Sequence, residues 1–382
     1  MSLQVNAVFE PLTFRRGASM RNRFMLAPMT NQQSAEDGTP SDDELHWLSV
    51  RAKGGFAYVL TCASHVNESG KGFPGALGCF SDRHIGGLRR IASSMRSAGA
   101  LSGLQLYHGG LRSISSDRIG PSEDTTISAR MMSEEEIAVV IDDFTAAALR
   151  AQNAGFDGVQ LHAVHGYLIS QFLSPTFNRR SDDWGGTPSK RSRFLFEIVR
   201  RIRKAVKPDF QLGIRISPER FGQELGDVIE VVTQLLECDD VDYVDLSLWD
   251  IEKEPEEPRY AGRTLLSYFS TLSRRGTRLS VAGKIIQPRQ ALAALEAGVD
   301  FVSLGKVAVI HHDYPARLKV NPSFTPDWLP VSRDRLRQEG LGPKFIDYLS
   351  TWTNFVSDAS PPTDAPRFDI GEYLAKGSSG KS

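Results

Sequence analysis

Two histidines and a tyrosine stand close together in the stretch QLHAVHGYLISQFLSP, residues 160–175. His162 and His165 are three residues apart, and Tyr167 follows two residues later. Two neutral imidazoles offer paired N–H donors, which suit a carbonyl oxygen on which negative charge develops during a reaction. A tyrosine beside them can deliver a proton. The structural alternative is a pair of capping histidines and a packed tyrosine at the start of a helix.

A metal site is a further interpretation of the same histidine pair. A hydrolytic metal site needs a third histidine or carboxylate ligand, and nothing nearby in the sequence supplies one convincingly. The cysteines at 62, 79 and 238 lie far apart and form no CxxC pair. They therefore predict neither a disulfide framework nor a zinc or iron–sulfur site. We expect no metal.

Two Gly-Lys pairs predict a phosphate site. They are Gly283 with Lys284 and Gly305 with Lys306. Glycine lets backbone N–H groups approach a phosphate, and lysine adds positive charge. Each pair alone is equally a turn followed by a solvated lysine, but the two pairs end two consecutive predicted strands.

Composition restricts the class of protein. The chain has 382 residues, 40% of them hydrophobic and 24% charged, and its formal net charge is −1 with a pI near 6.7. This balance gives no electrostatic reason to expect nucleic acid or an anionic membrane as a partner. No signal-peptide pattern is present, and no apolar run reaches the roughly 18 residues that span a bilayer. We expect a soluble, cytoplasmic protein with a small-molecule partner; homo-oligomerisation stays open.

The elements that must position these residues alternate between strands and helices. Short apolar runs rich in β-branched or aromatic residues predict strands, and segments with helical periodicity lie between them. The clearest helix spans 133–153, where Ser133 and Glu136 form a capping-box pattern. Strands are predicted at 23–29, 56–64, 101–107, 156–162, 210–217, 241–247, 279–283 and 299–305.

Eight such units without a break in composition predict an α/β fold, a (β/α)8 TIM barrel in a single domain. A doubly wound fold is the alternative, but no predicted strand is followed by GxGxxG or GxxxxGK[ST]. We expect the barrel over residues 1–345 and a partly disordered C-terminal extension over 346–382. Aromatic residues after about position 320 fit either a cover over the site or an interface.

Residues 161–199, LHAVHGYLISQFLSPTFNRRSDDWGGTPSKRSRFLFEIV, closely resemble the signature of the old yellow enzyme family of NADH:flavin oxidoreductases. NRFMLAPMT near the start, LQLYHGG on the third predicted strand, RIS on the fifth and both Gly-Lys pairs extend the resemblance over roughly residues 8–320. It implies a (β/α)8 barrel that holds FMN non-covalently and uses NAD(P)H as co-substrate. The implied reaction is the ping-pong reduction of the activated C=C bond of an α,β-unsaturated carbonyl or nitro compound.

The resemblance also implies roles for residues around the flavin ring. Pro28 and Met29 would line one face of the ring, and Thr30 would lie near O4 and N5. Ala63 would offer its backbone to the ring, and Gln105 would bond the pyrimidine edge. Each of these positions follows a predicted strand or lies at its end.

The remaining implied roles concern charge and substrate. Arg215 would place positive charge near N1 and O2 of the flavin. His162 and His165 would anchor the carbonyl oxygen of the substrate, and Tyr167 would donate the proton. The phosphate would be held by Gly283, Lys284, Gly305 and Lys306.

The chain departs from the family pattern at three places. His108 is followed by Gly-Gly-Leu where an arginine is often found, although Arg112 is adjacent. Lys306 replaces the more usual arginine, and a lysine cannot form the planar bidentate fork. Gln32 stands where one subgroup carries a tyrosine. The cysteine run and second nucleotide-binding domain of larger relatives are absent, so FMN alone is favoured.

Two other classes of function remain as alternatives. One is a flavin-free barrel lyase or aldolase that binds a phosphorylated substrate at the two Gly-Lys pairs. The other is a flavin-binding redox sensor or interaction protein without enzymatic turnover. A colourless protein would indicate the first, and bound FMN without enone reduction would indicate the second.

Overall fold

A computed structural model of the protein describes residues 5–358, and eight parallel strands form a closed barrel in it. Each strand pairs with its neighbours in chain order, and the first strand pairs with both the second and the eighth. The (β/α)8 prediction is therefore confirmed. The strands are β1 (Phe24–Leu26), β2 (Tyr58–His65), β3 (Leu101–Tyr107), β4 (Gly158–Ala163), β5 (Gln211–Ile216), β6 (Tyr243–Ser247), β7 (Arg278–Ala282) and β8 (Phe301–Leu304).

Strand β1 is shorter than the predicted 23–29. Its ladder with β8 continues one residue further, where the backbone N–H of Ala27 donates to the carbonyl of Leu304 at 2.9 Å. Pro28 follows and has no N–H to donate to a neighbouring strand. The chain then leaves the barrel, and the residues that follow connect β1 to the helix Asp42–Lys53.

Helices surround the barrel and pack their apolar faces against it. Helix α3 confirms its predicted start, because Ser133 and Glu136 form the reciprocal capping box. The helices are α1 (Asp42–Lys53), α2 (Ile85–Ser97), α3 (Glu134–Ala154), α4 (Leu168–Leu173), α5 (Pro188–Ala205), α6 (Leu225–Glu237), α7 (Ser267–Ser270), α8 (Pro288–Glu296), α9 (Lys306–Ile310), α10 (Tyr314–Val320), α11 (Arg333–Gln338) and α12 (Pro343–Ser350). Within residues 5–358, no helix combines the length and apolar character needed to cross a membrane.

Aromatic side chains close the floor of the barrel at the N-terminal ends of the strands. Tyr58, Tyr243 and Phe301 are the first residues of β2, β6 and β8, and all three are fully buried. Residues 12–20 form a hairpin below them, and its Phe14 packs against each of the three rings at centroid distances of 5.9 to 6.3 Å. Among residues 5–358, aromatic side chains therefore fill the N-terminal end of the barrel, and a site is expected at the carboxyl ends of its strands.

Some connections carry structure that periodicity did not predict. Strands Arg118–Gly120 and Ala129–Met131 pair within the connection that follows β3. The predicted long loop at 250–264 contains one 3-10 turn, Pro258–Tyr260, before α7 begins.

The C-terminal segment returns to the barrel. Helix α12 buries Phe345, Ile346 and Leu349 in the main core. The domain boundary at residue 345 stays a prediction and falls inside this helix. The part of the predicted extension from 359 to 382 lies outside the described residues.

Candidate active site

The histidine motif occupies the exit of strand β4. His162 lies on the strand itself, and His165 and Gly166 adopt left-handed backbone conformations with φ of 58° and 68°. This sharp turn places Tyr167 at the N-cap of α4. The ring centroid of His162 is 5.4 Å from that of His165 and 5.0 Å from that of Tyr167. The structure thus brings the three predicted residues into one cluster.

Both imidazoles are neutral near pH 7. Burial, helped by the positive charge of Arg215, lowers the pKa of His162 to about 3. Burial and the neighbouring His162 lower the pKa of His165 well below its usual value. Nδ1 of His162 has no hydrogen-bond partner among the described residues, and Nε2 of His165 lies 3.4 Å from the hydroxyl of Ser247. A neutral ring of this kind can donate a hydrogen bond from its N–H to an incoming oxygen and stays neutral as it does so.

The neutral state of His162 predicts a pH dependence of stability. Its pKa is about 3 in the folded protein against about 6.5 in an unfolded chain, so the unfolded state takes up the proton first as pH falls. This contribution to stability is complete above pH 6.5 and is lost towards pH 3. When the pH falls from 7 to 5, the free energy of unfolding of wild type should decrease by about 2 kcal/mol more than that of His162→Asn. Urea unfolding at both pH values measures this, and equal losses would contradict it.

Tyr167 is held by two neighbours. The guanidinium of Arg112 lies over its ring, 4.5 Å from the centroid, and also donates to the backbone carbonyl of His165. Tyr107 packs edge-on against Tyr167 at 5.2 Å, and its own hydroxyl accepts from the backbone N–H of Gly72 at 2.9 Å. Arg112 therefore supplies positive charge at this site. At the position where the family often carries an arginine, two residues after Gly109, this chain has Leu111.

The predicted ring-binding residues gather on the neighbouring strand ends. Ala63 pairs with Gln105 across β2 and β3, and Ala63 shares a buried cluster with Tyr167. Gln105 donates through Nε2 to Oε1 of Gln160 at 2.7 Å. Gln160 was not singled out from the sequence, although it stands two residues before His162, on the same face of β4.

The β1 exit contributes the remaining ring-binding candidates. The carbonyl of Pro28 lies 3.5 Å from Nη1 of Arg215, which reaches across from β5. Met29 lies near the exit of β8. A Cβ atom placed on Gly305, directly after that strand, would be 3.7 Å from the sulfur of Met29. Thr30 interacts with the side chain of Tyr348 from α12.

A buried carboxyl group holds the loop that carries Thr30. Glu44 on α1 is fully buried, and burial raises its pKa. It accepts from the side-chain amide of Asn31 at 3.3 Å and from the thiol of Cys62 at 3.0 Å. Because Asn31 follows Thr30 directly, this buried group fixes the loop relative to β2. Sequence analysis did not single out Glu44.

The two Gly-Lys pairs lie at the exits of the neighbouring strands β7 and β8. Gly305 is the N-cap of α9, and Gly283 lies against the backbone of the β6 exit, whose Ile251 N–H donates to its carbonyl at 3.2 Å. Lys284 forms an ion pair with Asp250 at 3.0 Å. Burial lowers the pKa of Lys306, and the charge of Lys284 lowers it further, so the two ammonium groups lie close enough to repel one another.

Aromatic residues that sequence reasoning did not assign surround these groups. Trp352 lies 5.5 Å from the ammonium of Lys306 and packs edge-on against Tyr348. Phe221 and Trp249 flank His165 at centroid distances of 6.0 and 6.3 Å. Two of the C-terminal aromatic residues, Tyr348 and Trp352, therefore lie beside Thr30 and Lys306.

A model of the NADH:flavin oxidoreductase / NADH oxidase family matches residues 7–323. The chain belongs to this family of NAD(P)H-dependent flavin oxidoreductases. Among its relatives, the probable NADH-dependent flavin oxidoreductase YqiG of Bacillus subtilis (strain 168) is 34% identical over 84% of this chain and 89% of its own length. The NADPH dehydrogenase of Geobacillus sp. (strain WCH70) is 35% identical over 63% of this chain and 72% of its own length.

The structural comparison shows the same fold in a solved structure. An old yellow enzyme homologue from Zymomonas mobilis superposes with a TM-score of 0.75 over 90% of this flavin oxidoreductase and 99% of that chain, at 24% sequence identity. Other relatives are larger: the NADH:acrylate oxidoreductase of Vibrio harveyi is 31% identical over 78% of this chain, which spans 31% of that protein.

The residues of this flavin oxidoreductase fit a flavin that carries a phosphate. Lysine charges gather at the exits of β7 and β8, and a buried arginine stands at the exit of β5. Nδ1 of His162 is buried and has no hydrogen-bond partner within residues 5–358. Unpartnered donors at this depth are unusual in a native protein and favour a bound polar group beside them.

Proposed function

We propose that the protein is an FMN-dependent ene-reductase that reduces activated C=C bonds of α,β-unsaturated carbonyl or nitro compounds with NAD(P)H. The observation that carries this proposal is the pair of neutral, buried imidazoles, of which His162 leaves Nδ1 without a partner. Neutral imidazoles also suit a metal ion, but such a site needs a third ligand, and the only possible ligand group within residues 5–358 is His312, Asp313 and Glu339, away from this pair. A general base with a pKa of about 3 would be weak near pH 7. An oxygen that gains negative charge does need such donors.

The residues of the chain divide the chemistry among them. His162 and His165 hold the carbonyl or nitro oxygen of the substrate, which makes the β-carbon electrophilic. FMN, when bound, carries hydride from NAD(P)H to that carbon. Tyr167 delivers a proton to the α-carbon from the opposite side, with Arg112 keeping its ring in place. Because the floor of the barrel is closed, both reactants use one entrance, which supports ping-pong kinetics.

The cofactor would be held at both ends. Arg215 supports the pyrimidine edge of the ring together with Gln105, and Pro28, Met29, Thr30 and Ala63 lie at the adjoining strand exits. Gly283, Lys284, Gly305 and Lys306 hold the phosphate. The ring of Trp352 lies beside the ammonium of Lys306 at that end of the site.

A visible absorption spectrum of the purified protein tests the proposal. We expect a flavin spectrum and, on adding a para-substituted phenol, a new long-wavelength charge-transfer band. NAD(P)H should bleach the flavin, and a cyclic enone or nitroalkene should restore the colour. Bound FMN without enone turnover would instead support the redox-sensor alternative, and a protein that stays colourless when FMN is supplied would support the lyase alternative.

The phosphate assignment predicts the effect of removing one lysine. Lys306→Met should weaken FMN binding by about tenfold, since a charged hydrogen bond to a partly exposed group is lost. Lys306→Arg keeps the charge and should bind FMN within about threefold of wild type. Titration of the apoprotein with FMN, followed by flavin fluorescence, measures both, and an unchanged Kd for Lys306→Met would contradict the assignment.

A further inference from the structure

A buried carboxyl group lies inside the barrel next to Arg215. Residues 243, 245 and 247 alternate along β6 and face the interior, and the middle one is Asp245. Asp245 is 0% exposed, and its Oδ2 lies 3.5 Å from Nε of Arg215. The two residues are paired across β5 and β6, and Asp245 is paired in turn with Ser280 on β7.

Asp245 belongs to a group of polar side chains that we call the interior polar layer. The layer takes one residue from each of five consecutive strands, β4 to β8. Each contributes at least one buried polar atom with no hydrogen-bond partner among the described residues. Its members are Gln160, Arg215, Asp245, Ser280 and Ser303. Barrel interiors of this type are usually filled by bulky branched apolar side chains, so a polar layer needs a reason.

The layer surrounds the carboxyl group with donors. The pKa of Asp245 lies above its usual value because burial raises it more than the charge of Arg215 and the side chains of Ser280, Gln160 and Ser303 lower it. A guanidinium and uncharged polar side chains close to one buried carboxyl group favour its charged form, the carboxylate. They would serve no purpose around an apolar residue.

The other titratable groups that face this pair are neutral. Burial raises the pKa of Tyr243, on the same strand as Asp245, and also that of Tyr58 behind it. On the β4 side, burial and Arg215 lower the pKa of His162 to about 3. The charge inside this part of the barrel is therefore set by Arg215 and Asp245 together.

We propose that Asp245 is the buried counter-charge of Arg215 and lowers the reduction potential of the bound flavin. The inference rests on the proposed function, in which Arg215 faces the pyrimidine edge of FMN. A lone guanidinium would stabilise the negative charge that this edge gains on reduction. A carboxylate 3.5 Å behind the guanidinium offsets part of that stabilisation. Asp245 is thus a positioning residue, because it acts through Arg215 rather than on the substrate.

The midpoint potential of the holoenzyme tests this. In Asp245→Asn, which keeps the shape but removes the charge, reduced FMN should bind at least about tenfold more tightly relative to oxidised FMN than in wild type. For a two-electron couple this is a shift of about +30 mV. Asp245→Glu keeps the charge and should stay close to the wild-type potential.

Ser280→Ala is the matched control, because it removes a polar atom of the same layer without removing a charge. The shift of its midpoint potential should stay below a third of the shift in Asp245→Asn. An unchanged or more negative potential in Asp245→Asn, or an equal shift in Ser280→Ala, would overturn the inference. If Asp245→Asn does not fold, Asp245→Ser removes the same charge and is judged by the same criterion. A wild-type protein that binds no FMN would overturn the proposed function instead.

Discussion

Replacing His162 and His165 together by alanine should reduce kcat/KM for a cyclic enone by at least about 100-fold. Loss of a single donor to a developing oxyanion typically lowers the rate by about 10²- to 10³-fold, and the two imidazoles are expected to share one oxygen. The same variant should bind a para-substituted phenol much more weakly and lose the charge-transfer band. The flavin spectrum itself should remain, since neither ring is assigned to FMN.

The conservative control uses asparagine at both positions. An asparagine side chain keeps an N–H donor and stays neutral, so it should recover a large part of the lost phenol affinity. Wild-type phenol binding and enone reduction in the double alanine variant would eliminate the anchor assignment. Equal losses in the alanine and asparagine variants would instead indicate that ring packing, and not donation, is what matters.

Tyr167→Phe should slow the reduction of enones by about 100-fold while flavin reduction by NAD(P)H stays within about twofold of wild type. A general acid typically contributes 10²- to 10⁴-fold, and only the half-reaction that consumes the enone needs a proton from this residue. The ring would stay in place, because its contacts with Arg112, Tyr107 and His162 do not involve the hydroxyl. Stopped-flow measurement of the two half-reactions separates these effects.

Tyr107→Phe is a matched control for Tyr167→Phe. The two rings are adjacent, but the hydroxyl of Tyr107 is engaged with the backbone N–H of Gly72. Its removal leaves a partly buried donor unpaired, so the free energy of unfolding should fall by about 1 kcal/mol while enone reduction changes little. Equal slowing of both half-reactions in Tyr167→Phe would point to a packing role for that residue.

The fold was predictable because each strand is a short apolar run between polar turns. The alternation along those runs also places His162, Arg215 and Gln105 inside the barrel, and strand exits meet at one rim. Periodicity could have found Asp245 and Gln160 as well, since each stands two residues from an interior position. Sequence analysis missed both residues because a polar residue within an apolar run is easily taken for the end of the strand.

Other parts of the site could not be read from local sequence. Tyr348 and Trp352 lie more than forty residues after the last strand of the barrel, and only the return of α12 brings them to Thr30 and Lys306. Phe221 has a left-handed backbone with φ of 53° although it is not glycine, so turn preferences give no sign of its position beside His165. Contacts of this kind depend on tertiary packing.

The closed floor of the barrel has a practical consequence for fixing the enzyme to a solid support. The hairpin at residues 12–20 lies at the end opposite the entrance, and Ala18 and Ser19 on it are exposed. A linker attached there would orient the barrel with its entrance towards the solution, so that diffusing reactants reach it unhindered. Attachment near Trp352 would turn the same entrance towards the support.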